Sequence, residues 1–178
     1  VTLLDETFAF TVFANAGRAQ GEPIPPGRRR EGYRQVDPVA ILKVVDAEGR
    51  TLYEYKEPTK VQVLTSQLAW LITSILSDDA ARRETFGWES ALKLSRPAAA
   101  KTGSTNNWRD AWTIGYSPDY AVGVWVGNSD NAAMDRVPGS QGAAPIWKKV
   151  METIHTGLPV RDFVRPADGL EAASVCRE

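Results

Sequence analysis

The chain has 178 residues, of which 43% are apolar and 24% charged, and its net charge is −1. This composition predicts one globular core, and it argues against intrinsic disorder and against a nucleic-acid-binding surface. Single copies of cysteine (Cys176) and histidine (His155) exclude an internal disulfide and a Cys/His zinc cluster, so we expect no metal and no cofactor.

The first residues predict an amphipathic helix. Thr2-Leu3-Leu4-Asp5 is similar to a capping box, and Gly17 is placed to end the helix. Leu4, Phe8 and Val12 recur every fourth residue, so we expect the face that they share to be buried. No run approaches the roughly twenty apolar residues of a membrane span, and no membrane contact is expected of this segment.

A hairpin and a second helix follow. Residues 40–45 and 51–55 predict two strands around a turn at 46–49, and the arginines at 28–30 predict a solvated loop. Ser66 is placed to cap a helix that ends near Asp78. The apolar stripe of this helix comprises Leu68, Leu71, Ile72, Ile75 and Leu76.

The second half predicts three strands and a helix. Between residues 80 and 96 we expect a short helix and then a loop. Residues 98–105, 111–116 and 120–127 predict strands, and the short turns between them imply antiparallel neighbours. Pro145 is expected at the first position of a final helix that packs on this sheet and ends before Gly157, while residues 158–178 predict a linker.

Large aromatic residues and the histidine have structural interpretations. We expect four tryptophans inside predicted elements to lie in the core, namely Trp70, Trp112, Trp125 and Trp147. Trp108 follows a predicted strand in a loop and is the tryptophan placed to touch a ligand. His155, at a helix end, is expected to be a surface residue or a partner of the helix dipole and not a catalyst.

The most informative motif is Lys101-Thr102-Gly103 in the strand 98–105. Lys-Thr-Gly on an exposed strand is one of three signatures of penicillin-binding proteins and serine β-lactamases. A second signature, S-x-x-K, matches Ser90-Ala91-Leu92-Lys93, and a third matches Ser129-Asp130-Asn131 and, loosely, Ser104-Thr105-Asn106. Their order along the chain differs from that of the family, so we interpret all three as chance matches.

The flanking sequence makes the resemblance specific. The segments 96–106, 109–119, 122–131 and 142–147 resemble the end of the transpeptidase domain of bifunctional (class A) penicillin-binding proteins. The resemblance implies an α+β fold, an antiparallel sheet flanked by helices. It also implies that residues 1–157 form the C-terminal portion of that domain and that the N-terminal half of the domain is a missing partner. The enzyme would lie on the extracytoplasmic face of the bacterial cytoplasmic membrane, with its membrane anchor upstream of this chain.

The resemblance also implies the roles of the motif residues. Lys101 would supply a positive charge and Thr102 a hydroxyl donor to the carboxylate of a stem peptide or a β-lactam, and Gly103 would let the substrate lie close. The backbone N–H of Ser104 would be one oxyanion donor, with Lys101 and Ser104 the catalytic contributors. Thr105 completes the predicted substrate-binding set.

Three functions stay open at this point. The first is the Lys-Thr-Gly part of a peptidoglycan DD-transpeptidase that works through a serine acyl-enzyme, with the nucleophile outside this chain. The second is a non-catalytic scaffold or peptide-binding module that keeps the sheet. A free-standing β-lactamase or sensor is the third. Upstream S-x-x-K and S-x-N motifs in family order would favour the first.

Overall fold

The computed structural model describes residues 2–173, so Cys176 lies outside the described residues. Within them the order of elements mixes helices and strands as predicted. Their bounds are α1 Leu3–Ala14, β1 Arg18–Pro23, β2 Val36–Asp37, β3 Lys43–Val45, β4 Thr51–Glu54, β5 Thr59–Gln62, α2 Ser66–Leu76, α3 Asp79–Phe86, β6 Ala99–Ser104, β7 Asp110–Tyr116, β8 Ala121–Gly127 and α4 Ala143–Ile154.

The main sheet has the strand order β6-β7-β8, and both pairs are antiparallel. This confirms the three strands predicted at 98–105, 111–116 and 120–127. The turn between β7 and β8 is closed by Ser117, whose hydroxyl accepts hydrogen bonds from Asp119 N (3.0 Å) and Tyr120 N (3.1 Å). Within residues 2–173, β6 pairs with a strand on one side only, so its other side is a free sheet edge.

Helix α4 covers one face of this sheet, as the sequence predicted. Trp147 and Met151 are fully buried in a cluster with Leu92, Ala98, Ala100 and Ala144. A Cβ at Gly115 would lie 2.4 Å from the Trp147 ring, so a glycine there lets the indole approach the strand. The helix begins at Ala143, which puts Pro145 at the third position instead of the first.

Helices α1 and α2 lie on the opposite face. A Cβ at Gly123 of β8 would meet the Thr7 hydroxyl of α1 at 2.0 Å, so the two elements touch there. Tyr116 of β7 is fully buried against Phe10 and Phe13, and its hydroxyl lies 2.8 Å from that of Thr73 in α2. Burial raises the pKa of Tyr116 to about 12, although the Thr73 hydrogen bond acts in the other direction.

Helix α1 also packs on a smaller antiparallel sheet with the order β2-β1-β5. Val12 is buried there with Ala19 and Val36, and Phe8 lies beside them, but Leu4 is 61% exposed. The prediction of one buried face through Leu4 was therefore wrong. The helix lies between two sheets, and its buried surface is shared between two faces along its length.

The predicted apolar stripe of α2 is only partly buried, because Leu68, Leu71 and Ile75 are exposed. The helix turns its small residues inward instead: Ala69 and Thr73 are its buried residues, and they allow close packing against α1 and β6. Its cap is Thr65, whose hydroxyl accepts from Leu68 N, and not Ser66. The β3-β4 hairpin forms as predicted, with exposed side chains throughout.

The histidine and three of the tryptophans are buried to a different extent than predicted. His155 is buried instead of exposed: its Nε2 lies 2.8 Å from Ser117 Oγ and its Nδ1 lies 2.7 Å from Met151 O, so the ring joins the end of α4 to the β7-β8 turn. Trp125 is 37% exposed, and its Nε1 donates to Asp110 Oδ1 at 2.8 Å. Trp70 and Trp112 are half-buried, so of the four tryptophans expected in the core only Trp147 is fully buried.

The segment after α4 runs along the surface of the folded body. Arg161 pairs with Asp119 at 2.8 Å, and the Phe163 ring packs edge-on against Tyr116. Gln67 of α2 donates to the Asp168 carbonyl at 3.3 Å. The predicted boundary at residue 157 stays a prediction, and the residues after it contact the sheet and α2.

Candidate functional site

The Lys-Thr-Gly motif lies in β6, which we call the motif strand. Its register with β7 pairs Lys101 with Ile114 and Gly103 with Trp112. Successive side chains of a strand point to opposite faces. Lys101 and Gly103 therefore belong to the face of α1, while Thr102 and Ser104 belong to the face of α4.

The backbone groups of the motif strand divide in the same alternating way. The Ala99 carbonyl points towards β7, since a Cβ at Gly115 would lie 2.7 Å from its oxygen. The Ala100 carbonyl points the other way and accepts from Arg82 Nη1 at 3.2 Å. By alternation, the N–H and C=O groups of Thr102 and Ser104 lie on the free edge. An oxyanion donor at Ser104 N requires this orientation.

A cleft of about 300 Å³ opens beside the motif strand, and we call it the edge cleft. Lys101, Thr102 and Gly103 form one wall. The other lining residues come from α1 and β7, namely Glu6, Phe10, Trp112 and Ile114. The lining thus combines the acidic Glu6, the cationic Lys101 and an apolar floor, and its Lys101 end suits the carboxylate of a ligand that also has an apolar part.

Lys101 is exposed, and its Nζ donates to the carbonyl of Thr102 on the free edge. This bond folds the side chain back along the strand. The ammonium has three hydrogens, so two are left to donate to a carboxylate. The charge therefore lies beside the point where an extended ligand would pair with Thr102.

Ser104 is tied to the loop between β8 and α4. Its hydroxyl oxygen accepts from Gly139 N at 2.9 Å, so its own hydrogen is free to donate to a ligand. A Cβ at Gly139 would lie 2.5 Å from Gly103 O and 2.5 Å from Trp112 O. Thr113 Oγ1 also donates to Gly139 O at 3.3 Å. The loop thus lies directly on the motif strand.

Thr105 ends the strand and closes the next turn. Its hydroxyl donates to Asp110 Oδ2 (3.0 Å) and accepts from Asp110 N (2.9 Å). Both functions of that hydroxyl are used within the turn. Trp108 is 40% exposed in the same turn, where Asn107 (φ 68°) and Trp108 (φ 57°) have left-handed backbones, and it does not line the edge cleft.

Ser90 lies in a loop before the motif strand and not on a helix. The residue is buried, and its hydroxyl accepts from Leu92 N at 3.1 Å. An S-x-x-K pair needs one helical turn to bring the amine to the hydroxyl, whereas here Lys93 N donates to the Ser90 carbonyl in a turn. Ser129 and Asn131 lie in the loop after β8, outside the edge cleft.

The sequence did not point to two residues of this site. Arg82 reaches the free edge from α3, and nothing in its local sequence indicates a contact with Ala100, which lies 18 residues later in the chain. Gly139 follows Pro138 and could have been interpreted only as a turn glycine. A larger cleft of about 1110 Å³ lies beside the exposed arginines 28–30, and none of the predicted site residues lines it.

Within residues 2–173, no cluster of three or more His, Cys, Asp or Glu side chains is placed to hold a metal ion. None of the helices described there is long and apolar enough to cross a membrane. No family model matches the chain.

Individual proteins do match. Penicillin-binding protein 2D of Bacillus subtilis is 34% identical over 140 residues, which cover 76% of this chain and 20% of that protein. Penicillin-binding protein 1A of Aquifex aeolicus is 31% identical over 175 residues, which cover 96% of this chain and 21% of the relative. The chain belongs to the class A penicillin-binding protein family. It spans about a fifth of the length of these curated relatives.

A solved structure agrees with this family. The PonA1 protein from Mycobacterium tuberculosis in complex with penicillin V superposes with a TM-score of 0.67 at 25% identity, over 92% of this chain and 41% of that chain. The α+β fold with its antiparallel sheet and flanking helices is that of penicillin-binding transpeptidase structures.

Proposed function

We propose that this chain is the Lys-Thr-Gly part of a peptidoglycan DD-transpeptidase that cross-links stem peptides through a serine acyl-enzyme. The observation that carries this proposal is the free edge of the motif strand, where Lys101 and Thr102 line the edge cleft and the outward backbone groups of Ser104 follow two residues further along the strand. An extended peptide adds to such an edge through backbone hydrogen bonds.

Each motif residue then has a role. Lys101 and the Thr102 hydroxyl bind the terminal carboxylate of the peptide, or the carboxylate of a β-lactam. Gly103 lets the substrate backbone approach. The Ser104 N–H donates to the carbonyl oxygen as it becomes an oxyanion, and the Ser104 hydroxyl, held by Gly139 N, donates to the carboxylate.

The attacking serine lies outside this chain. Ser90 is the in-chain rival, and its buried hydroxyl is already bonded to Leu92 N, away from the edge cleft. We therefore infer that the nucleophile and its lysine belong to an N-terminal half of the domain. The enzyme would work on the extracytoplasmic face of the bacterial membrane, with its anchor also upstream.

The second candidate is a non-catalytic scaffold that keeps the sheet and binds peptidoglycan peptides. The free edge and Lys101 favour it as well, because they would hold a peptide without any acylation. The upstream sequence separates the two candidates, since only the enzyme needs S-x-x-K and S-x-N motifs in family order.

Labelling with a fluorescent penicillin tests the proposal. We expect the full-length protein to be labelled covalently and the isolated 178-residue chain to stay unlabelled. A full-length protein that binds penicillin reversibly but is never acylated would favour the scaffold. Acylation of the isolated chain that disappears in Ser90→Ala would show that the nucleophile is Ser90.

A further inference from the structure

Arg82 of α3 closes the free edge of the motif strand one residue before Lys101. Its side chain is only 12% exposed. Nη1 donates to the carbonyls of Leu76 (2.8 Å) and Ala100 (3.2 Å), and Nη2 donates to the Asp79 carboxylate at 2.6 Å. The guanidinium thus joins the end of α2, the start of α3 and the edge of β6.

The spacing of the backbone groups along the free edge relates the contact between Arg82 and Ala100 to the length of the peptide that can bind. Outward backbone groups recur every second residue, at Ser104, Thr102 and Ala100, so neighbouring positions are about 6.6 Å apart. In the proposed function the scissile carbonyl lies at Ser104 and the terminal carboxylate lies at Thr102 and Lys101. A substrate that continued past that carboxylate would next reach Ala100, whose carbonyl is already bonded to Arg82. The Thr102 carbonyl also accepts a bond, from Lys101, but that side chain is exposed and can turn towards a ligand, whereas Arg82 is only 12% exposed and is held by three bonds.

We propose that Arg82 is a specificity-determining residue that ends the peptide-binding edge at Thr102 and so restricts the site to peptides that end one residue after the scissile bond. This inference rests on the proposed function. Lys101 attracts the carboxylate, whereas Arg82 excludes a longer chain by occupying the position that its backbone would need.

The chemistry of the guanidinium suits this role. Displacing it would leave a nearly buried cation without two of its carbonyl partners, which is costly. Its charge is paired with Asp79, so Arg82 does not compete with Lys101 for the carboxylate. A planar fork can bond two carbonyls and a carboxylate at once, and a lysine ammonium lacks that fixed geometry.

The test uses the full-length protein and three acyl donors: a fluorescent penicillin, a synthetic stem peptide ending in D-alanyl-D-alanine, and the same peptide extended by one glycine. Cleavage of the bond between the two alanines is followed by mass spectrometry. The variants are Arg82→Ala and Arg82→Lys. Arg83→Ala is the matched control, because Arg83 is the exposed neighbour that stacks on Trp88 at 3.8 Å.

We expect the parent and Arg83→Ala to prefer the unextended peptide by about tenfold or more, and Arg82→Ala to lose most of that preference by gaining activity on the extended peptide. Arg82→Lys should keep part of the preference for the unextended peptide. Penicillin acylation should change by less than about threefold, since the proposed function places the carboxylate of a β-lactam at Thr102 and Lys101, before Ala100.

Three outcomes would overturn the proposal. A parent protein that cleaves both peptides equally well overturns it without any variant, even if Arg82→Ala fails to fold. A similar loss on all three donors in Arg82→Ala would mean that Arg82 only supports the fold. A parent protein that penicillin does not acylate overturns the proposed function, and this inference with it.

Discussion

Replacing Gly139 by alanine adds a methyl group where the β8-α4 loop touches the motif strand. The new Cβ would lie 2.5 Å from the carbonyl oxygens of Gly103 and Trp112, whereas ordinary contact begins at 3.4 Å. Both atoms belong to the backbone of the paired strands, so they cannot rotate away as a side-chain end could. The loop must retreat by close to an ångström.

That retreat has two measurable consequences. Overpacking of this kind costs about 1–3 kcal/mol in the free energy of unfolding. The hydrogen bonds from Gly139 N to Ser104 Oγ and from Thr113 Oγ1 to Gly139 O would also lengthen, which disturbs the residue that carries the proposed oxyanion donor. A displacement near 1 Å can lower a catalytic rate by about a hundredfold.

The assay pairs a thermal melt of the 178-residue chain with the penicillin acylation rate of the full-length protein. Gly27→Ala is the matched control, because a Cβ at Gly27 meets nothing within 4 Å. We expect Gly139→Ala to melt lower and to acylate about ten to a hundred times more slowly than Gly27→Ala. Equal behaviour of the two variants in both measurements would refute the contact between this loop and the motif strand.

Two further predictions concern stability. Trp147→Ala should lower the free energy of unfolding by about 3–5 kcal/mol in a denaturant titration, because Trp147 is fully buried. The control Trp88→Ala should change it little, since Trp88 is 70% exposed. Equal losses of free energy in the two variants would place Trp147 outside the core. Burial raises the pKa of the Glu152 carboxyl, but hydrogen bonds from Ser95 N (2.7 Å) and Ser95 Oγ (2.6 Å) outweigh it and hold the pKa below 4.5. Glu152 therefore stabilises the fold above pH 4.5, and it loses this contribution as the pH falls through its folded pKa. The melting temperature of Glu152→Gln should thus fall less between pH 7 and pH 3 than that of the parent. Equal falls in melting temperature for the two proteins would contradict this prediction.

The sequence was sufficient for the elements whose partners are close in the chain. The three strands around Lys101 follow from alternation and short turns, and their antiparallel order is confirmed. The family was also predicted correctly from the residues that flank the motif. These features depend on local patterns, and a single sequence contains them.

Features that depend on packing between distant elements were not predictable. The stripe through Leu68, Leu71 and Ile75 has the spacing of a buried face, yet the small residues Ala69 and Thr73 face the sheet because α1 and β6 approach closely there. His155 was expected on the surface because it lies at a helix end, and the sequence does not reveal the contact that buries it, since its partner Ser117 lies 38 residues away.

Within the site, the motif residues and their order on the strand could be predicted, but their supports could not. Arg82 contacts Ala100 through a long side chain across 18 residues, and Gly139 reaches Ser104 across 35. Neither contact leaves a periodic signal in the sequence. Arg82 binds a backbone carbonyl, which any residue at position 100 would present, and Gly139 contributes its own backbone N–H, which any residue except proline would present.

The central claim is that Lys101 and its strand bind the carboxylate of an acyl donor while Ser90 does not take part. The most direct measurement is the second-order rate of penicillin acylation for full-length Lys101→Ala, Ser104→Ala and Ser90→Ala, side by side with the parent. A charge-assisted hydrogen bond contributes about 1.5–3 kcal/mol, so Lys101→Ala should acylate about ten to a hundred times more slowly. Ser104→Ala should lose less, because its backbone N–H survives, and Ser90→Ala should match the parent. Near-parental rates for both Lys101→Ala and Ser90→Ala would contradict the account.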